Sequence, residues 1–135
     1  MQINRFDEIT SIHAKFSQRI KKMLKKLNYY ILGNYSKQDS SVSPRVPLLV
    51  KDKEAFINFF KDRGIEIGTW FDGPLSPLPK DPLFKYNKVL YPNSCFIAKH
   101  IVNLPCHAKM NSYYLAIIEE GLVDFSKNHP DHSDF

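Results

Sequence analysis

Gly64-Ile-Glu-Ile-Gly-Thr-Trp-Phe-Asp-Gly-Pro-Leu-Ser-Pro-Leu-Pro79 is the stretch on which the fold class of this 135-residue chain turns. It holds three of the five glycines, three of the nine prolines and the single tryptophan, a mixture that rules out a helix interior. Proline lacks the amide donor a helix needs, and glycine has too much backbone freedom to lose. Ile65 and Ile67 alternate with Glu66 and Gly68, the period of a strand with one buried face. Beyond Gly73, each residue that precedes Pro74, Pro77 or Pro79 is driven towards extended conformations. The prediction is a short strand that runs into a long, stiff loop. Trp70 and Phe71 on that loop either cap a core or grip a ligand; both readings stay open on residue type alone.

Upstream of the loop, Arg45-Val-Pro-Leu-Leu-Val50 has the length and apolar character of a strand, with Pro47 pointing to an edge or a bulge. Asp52 is placed to cap a helix over 53–63, with Ala55, Phe56, Phe59 and Phe60 on one face and Gly64 as its terminator. At the N-terminus, Phe6, Ile9, Phe16, Ile20, Met23, Leu24, Leu27 and Ile31 recur at steps of three, four and seven. They predict one long helix from Asn4 or Asp7 to about Leu32, stopped by Gly33-Asn34. Between Lys15 and Lys26 stand six basic residues and no acidic one. Such a face either lies against an anionic surface or is simply solvated beside the apolar stripe; the lack of interleaved aromatics makes nucleic acid the weaker reading.

Downstream, 80–91 is a connection without a period. Pro92-Asn-Ser94 opens a short helix through about His100, Ile101-Val-Asn-Leu104 is a strand closed by Pro105, and Asn111 or Ser112 caps a last helix. That helix carries Tyr114, Leu115, Ile118, Leu122 and Phe125 on its buried side, with Glu119 and Glu120 exposed. Residues 128–135 are polar and are expected to be a loose tail. Short strands and helices without regular βαβ spacing predict an α+β fold: a small antiparallel or mixed sheet with helices on one face, preceded by a long N-terminal helix. The expected organisation is 1–34 helix, 35–127 one small domain, 128–135 tail.

The composition, 43% hydrophobic and 24% charged, is that of one folded domain, and no apolar run approaches the roughly 20 residues of a membrane span. With no signal-peptide core and only Cys95 and Cys106 as thiols, the expectation is a cytoplasmic protein with free, inert cysteines. A net charge of +5 favours an anionic partner such as a phosphate-bearing ligand. There is no glycine-rich phosphate cradle and no Gly-x-Ser-x-Gly elbow. Cys95, His100, Cys106, His107, His129 and His132 match none of the common zinc spacings, so no metal is expected. Cys106 and His107 are neighbours in an extended segment and point to opposite sides, which makes a nucleophile–base pair unlikely chemistry. His107 either lines a site at a strand end or sits on the surface after a proline turn. Arg45 either holds an anion or pairs with an acidic neighbour.

Taken in order, Arg45-x-Pro47, Gly64-Ile65, Trp70-Phe71, Pro74-Leu75, Pro92-Asn-Ser94 and Asn103-Leu-Pro105-x-His107 resemble the C-terminal small domain of the DegT/DnrJ/EryC1/StrS family. These are fold-type-I sugar aminotransferases that use pyridoxal phosphate (PLP). The helix from Phe6 resembles the one that joins their large and small domains. The resemblance implies a domain that closes over a nucleotide-linked keto or amino sugar, with glutamate as amino donor. It places Trp70, Phe71 and His107 on the substrate-facing edge with Arg45 behind them. It assigns no catalytic and no cofactor-binding residue here, since the family's Schiff-base lysine, pyridine-facing aspartate and phosphate cup belong to the large domain. The expectation is a small-domain fragment, a separately encoded half or a gene remnant, inactive alone, with a large-domain chain or a second copy as partner. PLP is implied for the full-length family and not for this chain alone. The competing expectation is a free-standing module that binds an anionic sugar or a protein.

Overall fold

The computed structural model describes residues 5–32, 44–69, 89–107 and 109–135. The elements run α1 (Phe6–Lys26), β1 (Tyr30–Ile31), β2 (Arg45–Leu49), α2 (Lys53–Lys61), α3 (Pro92–His100), β3 (Ile101–Pro105) and α4 (Ser112–Asn128). Among the described residues the sheet has three strands in the order β1-β2-β3, antiparallel throughout. This is the α+β arrangement expected, with the long helix first.

The β2–β3 ladder pairs Arg45 with Pro105, Val46 with Leu104, Pro47 with Asn103, Leu48 with Val102 and Leu49 with Ile101. Alternation along a strand sends Val46, Leu48, Val102 and Leu104 to one face, where all four are fully buried. They join a single core with Ile20 and Leu24 of α1, Phe56 and Phe60 of α2, and Leu115, Ile118, Leu122 and Phe125 of α4. Tyr29 closes that core at the far end of α1, donating its hydroxyl to Leu122 O at 3.0 Å. Burial pushes its hydroxyl ionisation well above the ordinary tyrosine range, so the ring stays neutral.

Several expectations need correction. Pro47 sits in the central strand, neither at an edge nor in a bulge. The geometry removes the penalty: Asn103, opposite it, exchanges both backbone hydrogen bonds with Gly68 at 2.9 and 3.0 Å. Pro47 therefore faces β3 at a position that needs no donor, and on its other side β1 has already ended, leaving only Leu32 N donating to Pro47 O at 3.4 Å.

The first helix stops at Lys26, well short of Leu32, because Asn28 adopts a left-handed φ of 59°. Tyr29 N returns to Leu24 O at 2.9 Å and Asn28 N to Lys25 O at 3.3 Å, the paired closure that ends many helices. Asparagine is one of the few residues that tolerates this conformation, and the residues after it form the edge strand. Ile65 and Ile67 are buried as a strand would bury them, yet the described part of the segment contributes one bridge, Gly68 to Asn103.

The segment after α4 is docked and not loose. His132 is buried, Lys51 N donates to His132 O at 2.8 Å, and Ser133 Oγ donates to Asn28 O at 2.7 Å. Tyr114 and Glu119 also differ from their expected faces. Tyr114 is 44% exposed. The Glu119 side chain is largely covered and takes a two-pronged ion pair from Arg19, 2.7 Å from Nε and 2.8 Å from Nη2. The expected helix ends hold elsewhere: Asp52 caps the start of α2, accepting from Ala55 N at 2.9 Å, Gly64 follows α2 with φ 72°, and Asn111 caps the start of α4, accepting from Tyr114 N at 3.0 Å.

Gly121 marks the closest approach of α4 to α2, since a Cβ there would lie 2.7 Å from the Phe60 ring. That ring is wedged against Phe56 at 4.7 Å and Phe59 at 5.4 Å and has nowhere to retreat. In an exposed helix Gly→Ala gains stability of about 1 kcal/mol. Here Gly121→Ala is expected to do the reverse and destabilise by about 1–3 kcal/mol through overpacking. Urea unfolding of the two proteins checks the sign.

Candidate functional site

Antiparallel pairing brings the start of β2 and the end of β3 to the same edge of the sheet. Arg45 stands opposite Pro105, and Cys106 N, one residue on, donates to Pro44 O at 2.9 Å. The chain then turns, with Met110 N donating to His107 O at 2.9 Å, and enters α4 through its Asn111 cap. Gly64, Ile65 and Glu66 arrive at the same edge from α2. The three segments enclose a cleft of about 480 Å³ lined by Arg45, Glu66, His107, Lys109, Met110 and Tyr114, among others.

Two of the four expected site residues, Arg45 and His107, are thus brought together, 62 positions apart in sequence. Trp70 and Phe71 lie outside the described residues. The Arg45 guanidinium lies over the α-carbon of Gly68, so a Cβ there would displace it. Gly68 is itself paired with Asn103 in an isolated antiparallel bridge.

Glu66, Lys109 and Tyr114 were not legible as site residues. Glu66 is the exposed member of an alternating pair and Lys109 lies in an unpatterned turn. Tyr114 fits the helical stripe by spacing, but it stands in the first turn of α4, in the lining of the cleft, and is partly exposed. The signal that could have found them is the ladder register, which sequence does not print.

Arg45, Lys109 and His107 against one carboxylate, Glu66, make a mouth suited to an anion, with Met110 and Tyr114 supplying apolar contact. A PLP cradle needs a lysine for the aldimine and an aspartate facing the pyridine nitrogen. The cleft offers Lys109 and Glu66, both exposed, and no aspartate among its described lining residues, so these residues do not fit that cofactor. No group of three or more possible metal ligands occurs among the described residues.

Cys106 is fully buried beneath the cleft, its Sγ donating to His13 O of α1 at 3.4 Å. Desolvation pushes the thiol up to about 11, against a smaller opposing pull from Lys21. His107 is exposed while Cys106 faces inward, so the two do not act as nucleophile and base. No described helix is long and apolar enough to cross a membrane.

A family model described as the DegT/DnrJ/EryC1/StrS aminotransferase family matches residues 1–121. No curated protein matches the chain. Among solved structures, a provisionally assigned sugar aminotransferase of Streptococcus pneumoniae in its PMP form superposes with a TM-score of 0.76 at 16% identity, covering 94% of this chain and 33% of that one. DesV of S. venezuelae, solved with a ketimine intermediate, gives 0.76 at 12% identity over 93% of this chain and 34% of its own. A DegT DnrJ EryC1 StrS aminotransferase from Brucella abortus gives 0.74 at 13% identity over 92% and 33%. The chain therefore spans about a third of the length of the solved structures it matches.

With the thiol neutral at physiological pH, Cys106 is expected to resist iodoacetamide between pH 7 and 9 while the protein is folded. Mass spectrometry should find it alkylated only after denaturation; rapid labelling in the native state would contradict the burial.

Proposed function

This chain belongs to the DegT/DnrJ/EryC1/StrS aminotransferase family, and on that premise we propose that it is the small-domain part of a PLP-dependent sugar aminotransferase. In this reading it supplies one wall of a nucleotide-sugar site, and the lysine that carries the cofactor belongs to the large domain. The amino group travels from glutamate to a keto sugar only when that part is present. The chain alone binds and orients; it does not transaminate. When bound, PLP supplies the electron sink for the transfer, and nothing in the described cleft substitutes for it.

The observation that carries this reading is the asymmetry of the match, more than nine-tenths of this chain against a third of each aminotransferase. The cleft supports it. Arg45, Lys109 and His107 line one mouth, where an anionic group such as a diphosphate meets basic side chains. Trp70 and Phe71 belong to the same proposal as the surface for the sugar ring.

A second reading, a free-standing binding module, draws on α1. Its C-terminal half packs on its own domain, with Ile20 and Leu24 fully buried and Arg19 tied to α4 through Glu119. Phe16 packs against the same core, whereas Phe6 is 65% exposed, the kind of surface a large domain would cover.

Two measurements test the proposal. Incubation with PLP followed by borohydride and mass spectrometry should give no adduct at one specific lysine; a stoichiometric adduct at Lys109 or any other single lysine would make this chain a minimal enzyme. Calorimetric titration with uridine diphosphate should show binding that weakens about ten- to a hundredfold in Arg45→Ala, the worth of one charge-assisted contact. Equal affinity in wild type and variant would remove the cleft from the proposal.

A further inference from the structure

We propose that the C-terminal segment is a clasp whose grip depends on a proton at His132. The segment after α4 folds back across the ends of two helices. His132 is 7% exposed. Its Nδ1 lies 2.9 Å from His129 O and its Nε2 3.2 Å from Leu27 O, both in donor geometry. Leu27 caps the C-terminus of α1 and His129 that of α4. A carbonyl oxygen only accepts, and a neutral imidazole has one N–H to give, so the neutral ring leaves one nitrogen lone pair against a carbonyl lone pair. The imidazolium satisfies both. One further feature favours the cation: each carbonyl is at the negative end of a helix. The ring packs against Tyr29, centroids 4.2 Å apart and planes tilted by 51°.

The surrounding charges leave His132 as the switching group. Lys51 and Asp131 pair at 2.6 Å, which raises the lysine and lowers the aspartate from their usual ranges; both stay charged from pH 5.5 to 8. Asp52, Lys53, Glu54 and Lys99 line the cleft beside the ring, with Lys53 Nζ donating to Ala98 O at 3.1 Å. Tyr29 stays neutral. The His129 ring stacks on Phe125 with its Nδ1 3.2 Å from Phe125 O, so it does not bridge the two helices. With the imidazolium both bonds of the clasp are made; with the neutral ring one of them is lost.

The test uses the whole chain uniformly labelled with 15N. Long-range 1H–15N spectra at pH 5.5 should show His132 with both ring nitrogens protonated and protected from exchange, assigned by loss of the signal in His132→Gln. The Lys51 amide, which donates to His132 O, should be about tenfold more protected at pH 5.5 than at pH 8 after correction for intrinsic exchange, and this difference should vanish in His132→Gln. A single-tautomer ring at pH 5.5, or Lys51 protection independent of pH in the wild type, overturns the proposal. The pH dependence of Lys51 protection in the wild type decides the matter even if the variant does not fold. It does not depend on any ligand of the sheet-edge cleft.

Discussion

The five-residue antiparallel ladder between β2 and β3 is the constraint on which the other features rest. Its register fixes which side chains share a face, and a slip of one residue would send Val46, Leu48, Val102 and Leu104 out of the core together. It also sets Arg45 beside Pro105, which is what places Arg45 and His107 on one cleft. The central proline is compatible with the ladder only because Asn103 turns its backbone groups to Gly68. Gly68 in turn gives the Arg45 guanidinium its seat. Packing and site thus share one set of hydrogen bonds.

The helices hold that ladder from one side through a core rich in phenylalanine. Phe56 meets Phe125 edge-on at 4.9 Å, and Phe59 and Phe60 continue the cluster along α2. Gly121 lets α4 come close enough for this, exchanging helix propensity for contact. At the opposite end of the sheet from the cleft, α3 feeds β3 through His100, whose Nδ1 lies 3.0 Å from Val50 O. The terminal Phe135 leans on Phe96 and His100 there, at 5.4 and 5.1 Å. The two ends of the sheet have different tasks: one presents an open, basic mouth, and the other is tied shut by the C-terminal segment.

Much of this was legible in the residues. Asp52, Gly64 and Asn111 announce their helix ends because capping is a local matter of one side chain and the next few amides. The apolar periods of α2 and α4 gave their buried faces, and Ile101–Pro105 was readable as a strand. The ordered set from Arg45 to His107 was enough to resemble the right family. Misreadings fell where a local signal competed with a distant partner. Periodicity ran on past Lys26 although Asn28 ends the helix, and polarity marked 128–135 as loose although His132 and Ser133 bond to α1's end. Glu119 looked solvated because its partner Arg19 is a hundred residues away.

What the sequence by itself determined is therefore the local grammar: which segments are helix or strand, where most of them stop, that the chain makes an α+β domain, and which family it resembles. Those properties depend on neighbours within a turn or a pleat. Only the tertiary structure decided that Pro47 is central, that Glu66, Lys109 and Tyr114 join Arg45 and His107, that Cys106 is sealed beneath them, and that one histidine spans two helix ends. Each of these is set by strand register or by helices meeting across the core. Such contacts join residues tens of positions apart, and no spacing along the chain encodes them.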